Sequence, residues 1–187
     1  MIHPTAIIHP DAKLSPTVEV GPYAMIGAGV SIHDETKIGA YSVIHGPKVV
    51  IEEQNEIGSH VVIESHATIG VRNKFSAFSS ISAVPQDLKF KGEESRIEIG
   101  NDNVFREYVT VNRGTEQGGG LTSIGNHNFI MAYVHVAHDC RIGNYVVIAN
   151  SVGMAGHVEI GDHAIIGGIT GIAQFCRIGS FAYIGGC

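Results

Sequence analysis

The sequence predicts an all-β protein built as a parallel β-helix, and three observations carry that prediction. Aliphatic residues recur at every sixth position through Ile124, Ile130, Val136, Ile142, Ile148, Met154, Ile160, Ile166, Ile172, Ile178 and Ile184, without one interruption. The same period opens the chain at Ile2, Ile8, Leu14, Val20, Ile26, Ile32, Ile38 and Ile44. Glycine is abundant at 24 residues, tryptophan is absent and only 16% of residues are charged, whereas a helical domain would draw on more Leu, Lys and Glu. A six-residue period fits neither the 3.6 of a helix nor the 2 of a half-buried strand. Three hexapeptides closing one coil, with coils stacked about 4.8 Å apart, give a triangular prism whose flat faces are parallel sheets of very short strands.

Taken in order, His3-Pro4, His9-Pro10 and Gly21-Pro22 supply turn-favouring residues to the first repeats. The phase slips by one residue near Gly46-Pro47 and resumes at Ile51, Ile57, Ile63, Ile69, Phe75 and Ile81, which one extra residue at a corner explains. Val84 to Glu94 has no repeat character and predicts an extruded loop near 83–96. The period returns at Ile99, Phe105 and Val111, and the stretch from Asn112 to Gly120 predicts a second loop near 112–123. The repeat covers the whole chain, so residues 1–187 form one domain in which each coil buries the face of the next.

A formal charge of -6 argues against non-specific nucleic-acid binding. There is no basic segment followed by an apolar run at the start and no long apolar stretch later, so neither export nor membrane insertion is expected, and a cytoplasmic location is. The three cysteines have no framework spacing. Cys140 and Cys176 each follow a phase-setting aliphatic residue by four positions and lie two coils apart, which predicts small buried hydrophobes in one column of a reduced protein. Cys187 carries no readable role.

Register arithmetic locates a candidate site. With eighteen residues to a coil, His138, Gly156 and Gln174 fall on one line of the prism, with His157 beside that line and His135 half a hexapeptide before His138. Imidazole is the side chain best suited to moving protons near neutral pH, Asp139 can orient it, and a glycine in the next coil leaves its N–H open to a developing oxyanion. The arrangement points to acyl transfer.

Several strings carry a family resemblance: His-Val-Ala-His-Asp-Cys at 135–140, Ala-Gly-His at 155–157, Gln-Phe-Cys at 174–176, Gln-Asp-Leu-Lys at 86–89, and the loop from Arg113-Gly-Thr to Gln-Gly-Gly-Gly at 117–120. In this order and spacing they resemble the UDP-N-acetylglucosamine O-acyltransferases of lipid A biosynthesis. The resemblance implies a left-handed winding, a homotrimer, and transfer of an (R)-3-hydroxyacyl chain from acyl carrier protein to the sugar 3-position with no metal or cofactor. It further implies that His138 is the general base, Asp139 its orienting partner and the Gly156 amide the oxyanion donor. By the same resemblance His135 and His157 touch the sugar, Asp87 and Lys89 reach the sugar nucleotide from a loop, Gln174 lies at the acyl end, and Gly186 leaves room for a longer chain.

Two departures qualify these implications. Ala173 stands where the family more often has histidine, so the acceptor is either the hydroxyl or the 3-amino analogue of the sugar. Family members also continue beyond the position of Cys187 into another coil and a C-terminal helical domain, so a fragment or a shortened form is expected. Three other readings stand beside the acyltransferase. One is a metal-dependent, carbonic-anhydrase-like protein using His135, His138 and His157, which the His-x2-His spacing disfavours. Another is a non-catalytic trimeric scaffold or sugar-nucleotide binder, and a third is a CoA-dependent acetyltransferase.

Overall fold

The structure, a computed structural model, describes residues 1–187. Twenty-seven short strands form three nine-stranded parallel sheets, and successive strands of the chain lie on successive sheets. The first face runs from Ile7–Ile8 to Gly171–Ile172, the second from Lys13–Leu14 to Arg177–Ile178, and the third from Glu19–Val20 to Tyr183–Ile184. Sheet neighbours are therefore one coil apart, as where Ile7 pairs with Met25 and Val147 with Ile165. This is the parallel β-helix that the six-residue period predicts.

Each strand is short because a hexapeptide must also turn a corner. Its first residue faces out and its second faces in, so Lys37–Ile38 and Arg141–Ile142 alternate exposed and buried. The inward residues make one apolar core of 37 buried side chains, mostly Ile and Val, with Phe75 and Phe105 stacked inside at 4.6 Å. At the corners a non-glycine residue repeatedly adopts φ near 60°, a conformation costing roughly 1 kcal/mol for an L-residue. Stacking offsets that cost along one edge, where the rings of Tyr23, Tyr41, His60, Phe78, Tyr108 and Tyr133 succeed one another at 4.8 to 5.2 Å. Another corner is held from within by buried Asn55, Asn73, Asn103 and Asn128, each accepting a backbone N–H from the next coil on its side-chain oxygen.

The extra residue near Gly46-Pro47 is visible in the pairing: Met25 pairs with Val43, eighteen on, but Val43 pairs with Val62, nineteen on. Two longer segments leave the prism. One lies between strands Ser80–Ala83 and Arg96–Ile99, so that Ala67 pairs with Ile97. The other lies between Thr110–Asn112 and Leu121–Ile124, contains a short 3-10 turn at Glu116–Gly118, and leaves Ile99 paired with Ile124. Both depart from the edge that joins the first face to the second.

The expected cysteine column is half correct. Cys140 is buried, and burial pushes its thiol up to about 11, whereas Cys176 is exposed. Cys176 belongs to the last described coil, where Ile178 and Ile184 are also only partly covered.

Two outcomes follow from this packing. Asn103→Ala removes donors to Asn73 Oδ1 and Gly125 O and the acceptor of Asn128 N–H, and urea denaturation should show a loss of about 2–3 kcal/mol. An unchanged midpoint would mean that the asparagine ladder is not structural. At pH 8 a thiol reagent should label Cys176 and Cys187 quickly and Cys140 only on unfolding, and three fast thiols would contradict the burial of Cys140.

Candidate active site

The edge between the first and second faces carries the histidine cluster. His135–Val136 lies on the first face, the corner follows, and Arg141–Ile142 begins the second. Val136 points into the core and His135 outward, where its Nδ1 lies 2.7 Å from the hydroxyl of Thr110, its strand partner one coil earlier. Burial, and secondarily the neighbouring His138, hold the His135 imidazole below the usual histidine value, so it is neutral at pH 7.

His138 and Asp139 occupy the corner itself. Asp139 adopts φ 60°, a region that aspartate tolerates better than most residues, and its backbone N–H donates to Thr122 Oγ1 at 2.8 Å. The turn brings Asp139 Oδ2 to 2.7 Å from His138 Nδ1. The other partners of this carboxylate come from the second loop, since Thr115 donates its backbone N–H to Oδ1 at 2.8 Å and its hydroxyl to Oδ2 at 2.6 Å. Gly118 lies so close that a side chain there would overlap the Asp139 carboxylate. His138 and Asp139 are 5% and 4% exposed. His138 lies outside the apolar core, and its ring is buried and not open to solvent.

The predicted stacking of Gly156 on His138 is present. A Cβ at Gly156 would overlap His138 Cε1 and sit 2.7 Å from Nε2, so only glycine lets the two coils meet there. The Gly156 N–H has no acceptor within the chain. His157 turns the next corner at φ 63°, sets its ring edge-on to His138 at 5.2 Å, and stacks on Phe175 at 4.5 Å. Its Nε2 is 3.8 Å from Asp139 Oδ2.

Other residues singled out from the sequence lie further away. Gln174 is on the same line one coil beyond Gly156, but exposed. Asp87 accepts the Lys89 backbone N–H at 3.0 Å within the first loop, and Lys89 borders a groove shared with Glu116 and Gln117 of the second loop. Neither makes a hydrogen bond to the His138 group. Gly186 lies beside Gly168 on the edge between the third and first faces, a different edge of the prism from His138.

Thr110 and Thr122 were not foreseen, and Thr115, Gly118 and Phe175 stood in the quoted strings without a role of their own. The loop insertion breaks the eighteen-residue arithmetic before Thr115, although the run Gly118-Gly119-Gly120 signals a close backbone approach. Ligating atoms of His138, Asp139 and His157 lie within 4.8 Å of one another, a different set from the three histidines considered as metal ligands above. Within that set His138 and Asp139 are joined by a direct hydrogen bond and both Asp139 oxygens already accept from Thr115, which is the geometry of a positioned proton acceptor.

Residues 11–46 and 121–156 match the family model described as bacterial transferase hexapeptide (six repeats). The acyl-[acyl-carrier-protein]--UDP-N-acetylglucosamine O-acyltransferase of Syntrophobacter fumaroxidans is 46% identical over 141 residues, covering 75% of this chain and 47% of that protein. The crystal structure of the UDP-N-acetylglucosamine O-acyltransferase of Moraxella catarrhalis is 44% identical, with a TM-score of 0.78 over 100% of this chain and 65% of that one. The UDP-N-acetylglucosamine acyltransferase of Bacteroides fragilis is 42% identical, with a TM-score of 0.82 over 100% of this chain and 66% of that one. The chain spans about half the length of the curated relatives it matches. Repeat, fold and identity agree: along its whole length the chain is similar to UDP-N-acetylglucosamine O-acyltransferases, and it carries the bacterial transferase hexapeptide repeat.

Proposed function

We propose that this chain carries the acyl-transfer centre of an acyl-[acyl-carrier-protein]--UDP-N-acetylglucosamine O-acyltransferase, the first step of lipid A biosynthesis. The observation that carries the reading is the Asp139–His138–Gly156 stack, which sets a carboxylate, an imidazole and a free backbone N–H in line on one edge.

In this reading His138 Nε2 takes the proton of the sugar 3-hydroxyl as its oxygen bonds to the thioester carbonyl carbon. The Gly156 N–H meets the oxyanion of the tetrahedral intermediate. The C–S bond then breaks, the acyl chain remains on the sugar, and His138 returns its proton to the carrier's thiolate. Asp139 stabilises the imidazolium in between. His135 and His157 flank the sugar, Asp87 and Lys89 reach the nucleotide from the first loop, Gln174 lies toward the acyl chain, and Gly186 leaves room for a longer chain.

Because Gly186 and His138 stand on different edges of one prism, the reading requires neighbouring copies, and a homotrimer places three such clefts between subunits. Arg141 and Arg177 border a cavity of about 210 Å³ beside Asp139 and His157, where Arg177 is paired with Glu159 at 3.2 Å. No helix is long and apolar enough to cross a membrane, and the substrates of this reading imply a cytoplasmic enzyme.

The deciding assay is thiol release from a 3-hydroxyacyl carrier protein, first with UDP-N-acetylglucosamine and then with its 3-amino analogue. Turnover should be lost about 10³-fold or more in His138→Ala and by a smaller factor in Asp139→Asn, which removes an orienting charge and not the base. Gly156→Ala should be as damaging as His138→Ala, because its methyl group would displace the imidazole. Wild-type turnover in His138→Ala would overturn the assignment.

A further inference from the structure

The second loop does more than cover the site. Thr115 caps the 3-10 turn at Glu116–Gly118, its Oγ1 accepting the Gly118 N–H at 3.4 Å. With a lone pair so engaged, the hydroxyl hydrogen is free to point at Asp139 Oδ2, 2.6 Å away, while the Thr115 N–H points at Oδ1. Donors thus reach both carboxylate oxygens, at a residue 96% buried and with no water needed to complete the set. A carboxylate so held is an acceptor only, with nothing to donate to His138 Nδ1 at 2.7 Å. Nδ1 must then carry the imidazole hydrogen, and Nε2 is left with its lone pair on the side of Gly156.

The directions follow from the carboxylate, which can only accept. The Gly118 N–H donates to the Thr115 hydroxyl, the hydroxyl to Asp139, and His138 Nδ1–H to Asp139 from the other side. We propose that Thr115 is a positioning residue that sets the tautomer of His138 by holding Asp139 as an acceptor, so that the inserted loop, and not the repeat, makes His138 competent as a base. This rests on the assignment of His138 above.

Supporting packing keeps the loop in place. Thr122, where the repeat restarts, accepts the Asp139 backbone N–H, and Gly118 allows the loop backbone to lie against the carboxylate. At the loop's entry, Arg113 donates to Ser65 Oγ at 3.3 Å and lies over the Phe90 ring of the first loop. Thr115 is itself buried, so its two bonds to Asp139 are shielded from competing water.

The test is the protonation pattern of the His138 ring, read from its ¹⁵N resonances in the full chain without substrate, in wild type, Thr115→Val and Thr115→Ser. Wild type should show protonated Nδ1 and unprotonated Nε2 at pH 8. Thr115→Val keeps the β-branch and the backbone N–H but loses the hydroxyl, and should give mixed tautomers. Its kcat should fall about tenfold to a hundredfold with KM changed less than about threefold. Thr115→Ser should restore both readouts. A wild-type ring protonated at Nε2, or a Thr115→Val protein with the wild-type tautomer and kcat, would overturn the proposal. The wild-type spectrum decides even if the valine variant fails to fold. Because the ring is read without substrate, loss of the acyltransferase reading leaves this outcome separately visible.

Discussion

The structure depends on one constraint: strands hydrogen-bond only to strands one coil away, so every strand must return to the same face after a fixed length of chain. Two-residue strands have no stability of their own, and they exist because each is paired with strands one coil away, on both sides everywhere but in the end coils. Register is therefore fixed along the whole prism. An inward isoleucine, an outward charge and a corner residue each recur in columns, and any added residue must be absorbed at a corner or expelled as a loop. The extra residue at Gly46-Pro47 is absorbed, whereas the two longer insertions are expelled on one edge.

That constraint explains what could be read from the sequence. The core was legible because its residues are columns of the same period, and the meeting of His138 with Gly156 was legible because both lie beyond the last insertion, where eighteen residues still equal one coil. Thr115 was not legible, since its place follows from how an inserted loop folds back and not from the period. Cys176 was misplaced because period alone assigns the same burial to every coil, while burial also requires a neighbour on each side. Gly186 and the loop residues Asp87 and Lys89 entered through family resemblance, and a single chain does not bring them to His138.

Functional geometry is thus divided between two kinds of structure. The prism supplies spacing: consecutive corners on an edge carry His138 and Gly156 with no adjustable backbone between them, so the imidazole and the free amide are held at a separation set by sheet pairing. The loop supplies polarity, through a threonine and a glycine that close on the Asp139 carboxylate. The chain carries 11 histidines but one buried histidine–aspartate pair, and that pair lies where prism and loop meet.

The left-handed corner at Asp139 has a wider consequence. Lys48, His66, His157 and Phe175 turn the same edge in the same conformation, so the backbone at the dyad is no different from that at an ordinary rung. The energetic cost of the turn is shared by the whole edge and is not charged to chemistry. A new side chain can therefore be placed at one rung without rebuilding its neighbours, and the edge behaves as a rack of interchangeable positions.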